Sequence, residues 1–235
     1  MNIPTTISLA EAVTRYPSLA RELEVRGLDY CCGGAMSLDE ASRKRGLDPH
    51  TVADELAQAM DDDRPATWAT MGVVQLVDHV VDTHHRYLWD ELPQVATLMD
   101  KVLTVHGDRH PELADIARCF STIRADLEPH MRREEQVLFP AIRQLVTATT
   151  MPVFPFGSID APISVMLREH DTVGDLLGEL RTLTADFTPP ADGCASYQAL
   201  YVALAEVEAD THLHVHKENN LLFPAVQQIE HRLAA

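Results

Sequence analysis

His130 and Glu134 lie four residues apart, and so do His214 and Glu218. On a helix that spacing sets an imidazole and a carboxylate one turn apart on one face. The first pair stands in His130-Met131-Arg132-Arg133-Glu134-Glu135-Gln136-Val137-Leu138-Phe139-Pro140. The second stands in His214-Val215-His216-Lys217-Glu218-Asn219-Asn220-Leu221-Leu222-Phe223-Pro224, a repeat offset by 84 residues. Upstream, Ile116, Phe120, Ile123 and Leu127 lead to the first pair by steps of four and three. Leu200, Leu204, Val207 and Thr211 lead to the second by the same steps. Both pairs therefore sit on otherwise apolar stripes. An unpaired carboxylate buried there costs several kcal/mol, and a metal ion offsets that cost while taking imidazole nitrogen as a ligand.

Two further His sit on helical stripes. His85 shares one with Val74, Val77, Val81, Leu88 and Leu92, and His170 shares one with Ile163, Met166, Val173, Leu177 and Leu180. The simplest arrangement is a duplicated helical hairpin closed into a four-helix bundle. It brings six groups to one level as two half-sites, which suits two metals bridged by Glu134 and Glu218. His106, in Val105-His106-Gly107-Asp108, lies near a helix end and has no counterpart in the second half. If it folds over the site, the set becomes five His and two Glu. That set fills nine of the roughly twelve positions of two octahedral metals; an oxo or hydroxo bridge fills two more and leaves about one open. Nitrogen-rich donors with hard carboxylates suit iron. Manganese accepts the same donors, whereas zinc usually takes four ligands.

Other candidates lie beside these. His84 points about 100° away from His85 on a helix, and His212 and His216 flank His214 by two residues, so all three are expected to be exposed or supporting. A His212–His216 pair could itself bind a metal. Glu135, one residue off the stripe, is expected to be solvated, so Glu135→Leu should do little where Glu134→Leu or Glu218→Leu reduces metal content. His79, His110 and His231 read as surface residues, and Cys119 and Cys194 as ordinary helix thiols. Cys31 and Cys32 adjoin on the loop Asp29-Tyr30-Cys31-Cys32-Gly33-Gly34. They read either as two small buried side chains or as a redox or metal-transfer site.

The elements that must position these groups are all helical. Four short helices precede the charged, proline-marked Asp61-Asp62-Asp63-Arg64-Pro65, predicting a small domain over 1–62, a linker over 63–71 and the bundle over 72–235. Thr149 to Gly157 is a loop. A net charge of −17 argues against nucleic-acid binding. No apolar run approaches the ~20 residues of a membrane span, and the start lacks a secretory pattern. Four cysteines without framework spacing suggest a reducing cytoplasm. The small domain could pair between chains, giving a homodimer, as readily as dock on its own bundle.

The doubled His-x-x-x-Glu…Leu-Phe-Pro motif resembles hemerythrin-like bundles. With the Cys-Cys-Gly-Gly loop ahead of it, and with Pro162-Ile163-Ser164-Val165-Met166 and Glu169-His170-Asp171, nearly the whole chain resembles the repair-of-iron-centres proteins. The resemblance implies a cytoplasmic non-haem di-iron protein of nitrosative and oxidative stress. Such a protein would support repair of damaged iron–sulfur proteins and bind NO or O2. The implied ligands are His85, His106, His130, Glu134, His170, His214 and Glu218, with His106 resting mainly on the resemblance. Two other readings stay open, a di-iron nitric-oxide reductase and an O2 or NO carrier or sensor.

Overall fold

Ser8, Ser37 and Asp48 start helices by one device, a side-chain oxygen accepting a first-turn amide: Glu11 N to Ser8 Oγ at 3.1 Å, Glu40 N to Ser37 Oγ at 3.2 Å and Thr51 N to Asp48 Oδ2 at 2.8 Å. The helices are α1 (Leu9–Arg15), α3 (Leu38–Lys44) and α4 (Pro49–Ala59), with α2 (Leu19–Val25) between the first two. Gly27 and Gly46, both at positive φ, end α2 and α3. The computed structural model describes residues 3–60 and 66–235, so the boundary expected at 61–65 lies outside the described residues. Residues 67–70 form a 3-10 turn with Trp68 buried.

Four long helices make the bundle: α5 (residues 73–106), α6 (112–147), α7 (Asp160–Leu183) and α8 (195–234). Helix α6 packs on α5 and α7, and α8 packs on α5. Three of the four contain a five-residue π-helical turn, at Val81–His85 in α5, Glu134–Leu138 in α6 and Glu218–Leu222 in α8. In each, an amide reaches back five residues: Arg86 to Val81, Phe139 to Glu134, Phe223 to Glu218. The prolines that follow at 140 and 224 have no amide proton and so make no competing α-type bond. Among the described residues the fold is all-α, and its only strand-like pairs are two isolated bridges, Ser8 with Ser37 and Phe154 with Gly157.

Two apolar layers fill the bundle. One runs from Leu88 through Met99, Phe120, Leu177 and Leu204; the other gathers Val77, Leu138, Phe139, Ile163 and Phe223. The repeated His and Glu lie between them. The loop from 148 to 159 is anchored by the buried Glu230, which accepts from Ser158 Oγ at 2.7 Å and Ile159 N at 2.8 Å, fixing where α7 begins.

Candidate metal centre

The bundle brings six side chains to one point from four helices. His85 on α5 and His214 on α8 place their Nε2 atoms 3.2 Å apart; His130 on α6 and His170 on α7 place theirs 3.0 Å apart. Between these pairs lie the two carboxylates. Glu134 Oε2 is 3.2 Å from His85 Nε2 and 3.3 Å from His130 Nε2, and Glu218 Oε2 is 3.3 Å from both His170 Nε2 and His214 Nε2. Each carboxylate thus faces one imidazole of each half. His85, His214, Glu134 and Glu218 form one group of donors within 4.8 Å, and His130, His170 and the same two Glu form another.

These donors fit metal ions better than they fit each other. All six residues are buried, and neither oxygen of Glu134 or of Glu218 has a hydrogen-bond partner. The close imidazoles stand beside the carboxylates without pointing an N–H at them. Orphaned buried carboxylates are rare because desolvation is so costly. Two nitrogens bound at right angles to one metal, each at about 2.1 Å, stand about 3.0 Å apart, as the pairs here do. In this structure the compensation comes from His130 and His85. Burial disfavours a charge on His130, yet Glu134 and Glu169 lift its pKa to about 10, and His85 is raised despite burial by Glu134. Burial and the neighbouring His85 hold His214 well below its usual value. Burial and the facing Glu218 favour a neutral Glu134, but His130 and His85 outweigh them and lower its pKa.

Each ring is aimed from behind. His85 Nδ1 donates to Glu135 at 2.9 Å, and Trp89 Nε1 donates to the same oxygen at 3.0 Å. Glu135 is therefore bound to the site rather than solvated, because the π turn swings it toward α5. Its counterpart at the 84-residue offset, Asn219, accepts from His170 Nδ1 at 2.7 Å. His130 Nδ1 donates to Glu169 at 2.8 Å, and Arg133 also holds that carboxylate. His84 precedes His85 as Glu169 precedes His170. It stacks on His214 with ring centres 5.5 Å apart and leaves His214 Nδ1 without a partner. Phe139 stacks on His85 and Phe223 on His170, so the Leu-Phe-Pro motif also walls the site.

Three His expected to be exposed or supporting are built into the structure. His84 is buried, bonded to Asp210 at 2.7 Å and to Lys217 Nζ at 2.6 Å; Lys217 also reaches His79 Nε2 at 3.0 Å, and burial lowers its pKa to about 8. His79 is accordingly half-buried, as is His110, while His231 is exposed. His216 is buried between Thr14, Tyr30 and Trp68, and His212 bonds Glu24. His212 and His216 thus face the small domain separately. The signal for Glu135 and Asn219 was present as their matching place in the repeat.

His106 is not brought to the centre. Helix α5 runs on without a break from His85 to His106, about 30 Å at 1.5 Å per residue. His106 ends the helix buried against Cys194 and Tyr197. The fold-back that would have added it as a fifth imidazole does not occur. Cys31 and Cys32 do approach. Their loop is held by Asp29, which accepts amides of Cys31 at 3.0 Å, Cys32 at 2.9 Å and Gly33 at 2.8 Å. The two sulfurs lie 3.9 Å apart, and the Cys32 contact and burial raise the Cys31 pKa. Asn219, which aims His170, donates its Nδ2 to Cys31 O at 3.4 Å and approaches Cys32 Sγ at 3.9 Å. One side chain links the imidazole cluster to the cysteine loop.

Both parts of the chain match known families. Residues 76–226 match the Hemerythrin HHE cation binding domain, and residues 6–60 match a domain of unknown function, DUF542. An iron-sulfur cluster repair protein YtfE of Enterobacter sp. is 33% identical over 216 residues, 92% of this chain and 94% of that protein. A probable iron-sulfur cluster repair protein of Haemophilus influenzae is 33% identical over 93% of this chain and 95% of its own length. In Escherichia coli a YtfE protein is 32% identical over 92% of this chain and 93% of its own. The chain belongs to the hemerythrin HHE cation-binding family, and within it to the two-part proteins that carry the iron–sulfur cluster repair name.

Proposed function

We propose that this chain is a non-haem di-iron protein that supports repair of damaged iron–sulfur clusters and binds NO at the di-iron site. The observation that carries the reading is the pair of buried carboxylates, their four oxygens unpartnered, between two imidazole pairs. His85 and His214 would hold one iron, His130 and His170 the other, and Glu134 and Glu218 would bridge them. Without His106 the set fills about eight of twelve octahedral positions; an oxo or hydroxo bridge leaves about one open on each metal. When bound, ferrous iron there supplies vacant coordination and reducing electrons for a small diatomic ligand.

The protein's own residues do the rest. Glu135, Glu169 and Asn219 hold ring tautomers that present Nε2 inward. Phe139 and Phe223 keep water from the rings. Cys31 and Cys32, joined to His170 through Asn219, would exchange electrons, NO or iron with a client protein. That connection favours repair over a simple carrier, which has no use for a cysteine loop beside its site. The setting in this reading is the bacterial cytoplasm, where the thiols stay reduced.

The test is anaerobic reconstitution with Fe2+, iron quantification and NO titration of the reduced protein. Two irons per chain, NO bound at the centre and faster recovery of a damaged iron–sulfur enzyme are expected. Failure to bind iron overturns the reading. Sustained NO consumption yielding nitrous oxide would instead make it a reductase, and a stable reversible O2 adduct a carrier.

A further inference from the structure

His106, excluded from the centre, has another partner. Its ring is buried at the carboxy-terminal end of α5, and Nε2 faces Cys194 Sγ at 3.2 Å. Arg109 Nη2 donates to its Nδ1 at 3.4 Å, so the ring proton lies on Nε2 and is offered to the sulfur. Cys194 stands at the N-cap position of α8, with extended backbone, and is exposed. We propose that Cys194 and His106 form a thiolate–imidazole pair that reacts with small-molecule disulfides, a modification site at the end of the bundle remote from the metal centre.

Two features converge on the sulfur. The imidazole N–H stabilises a thiolate by a charge-assisted hydrogen bond. The helix terminus presents amides and the positive end of the dipole. The first-turn amide of Tyr197, then that of Ser196, with Lys101 nearby, holds the thiol pKa below its usual value. Arg109, His110, Glu112, Asp192 and Tyr197, whose ring centre lies 5.4 Å from that of His106, are the other charged or titratable groups around the pair; His110 bonds Asp192 at 3.1 Å and Glu112 at 3.0 Å. Two of the other three thiols are set differently. Cys119 is buried, donates to Leu176 O at 3.3 Å and is raised by desolvation, and Cys31 is buried and raised.

The chemistry balances without further components. The Cys194 thiolate attacks one sulfur of the disulfide, a new S–S bond forms as the old one breaks, and the departing sulfur leaves with the electron pair and takes a proton from solvent. The protein thiol is oxidised and half of the small disulfide is reduced to a free thiol. A dithiol reverses the step.

The test uses full-length, iron-loaded protein treated with iodoacetamide across pH 5 to 9, or with glutathione disulfide, followed by peptide mapping. Cys194 should be alkylated with a pH midpoint below that of N-acetylcysteine, and should form a mixed disulfide with glutathione that dithiothreitol removes. His106→Phe should raise the midpoint and slow alkylation at pH 7 by about fivefold or more, while His106→Gln, which keeps a donor, retains part of the effect if the Phe variant fails to fold. Iron content should not change. A wild-type midpoint no lower than that of N-acetylcysteine, or a rate indifferent to both substitutions, overturns the proposal.

Discussion

Each imidazole at the cluster is aimed by what its outer nitrogen meets, and three of the four meet an acceptor. Losing such a partner typically costs 10–100-fold in metal affinity, because the ring must then be ordered at the moment of binding. Glu135→Leu is therefore expected to weaken iron binding by about that factor, with Glu135→Gln less affected because an acceptor oxygen remains. Competition with a chelator measures it, and unchanged affinity in the Leu variant would put Glu135 outside the site. The fourth ring, His214, has no partner at Nδ1 because His84 stands where the other half has Glu169. The two irons of the proposed centre should then leave in two phases during chelator extraction, the His85–His214 half first. His84→Glu should bring the phases together; Lys217, already 2.6 Å from the His84 ring, would pair with the new carboxylate. A single phase in the wild type would mean that the halves are equivalent.

At the scale of elements, the π turns decide which side chains reach the centre. Each inserts an extra residue into its helix, and such insertions gather at functional sites. Glu134 and Glu218 open two of them and His85 closes the third, whereas His170 lies on the unbroken α7. Stripes stepping by four and three carried the bundle and the six inward residues: His130 and His214 precede the turns, Glu134 and Glu218 begin them, His170 meets none, and His85 closes its turn still in line with the buried Leu88 and Leu92. The same steps place Glu135 on the wrong side, because a five-residue turn is invisible to a period of 3.6. The Leu-Phe-Pro repeat was visible, but it reads as a proline within a helix until the Phe139 and Phe223 amides are followed back five residues. Nothing local marks the turn at Val81–His85. In α8 the turn presents Asn219 to His170 on one side and to the Cys31 loop on the other. Asn219→Asp, which keeps the acceptor and loses the donor, should retain iron but speed alkylation of Cys32. Asn219→Leu should speed alkylation and weaken one iron. If neither variant changes Cys32 reactivity, the link does not hold the loop.

Over the whole molecule, α8 serves two cores. From Val207 to Lys217 its side chains are largely buried, because the bundle takes one face and the small domain the other. The polar face holding His212 and His216 was legible only as polar, since the partner that buries it comes from a separate domain and leaves no period in α8. Val215 belongs to the small domain's apolar cluster, beside Leu23, Tyr30 and Cys31. Asn220 donates to Cys31 O at 3.0 Å, and Gly34 must be glycine there, since a Cβ would stand 2.5 Å from Tyr30 O and 2.9 Å from Asn220 Oδ1. Burying a valine contributes about 1.5–3 kcal/mol, and a lysine in its place adds an unpaired buried charge. Val215→Lys should therefore undock the small domain while the six metal-facing side chains, on the other face of α8 and on other helices, stay in place. Cys31, buried in the docked form, should become accessible to iodoacetamide, with iron content still at two per chain and recovery of a damaged iron–sulfur enzyme lost. Gly34→Val should act in the same direction through the loop. Loss of iron together with undocking would show that the two domains build the centre jointly, and an unreactive Cys31 in both variants would show that the contact with α8 does not hold the loop in place.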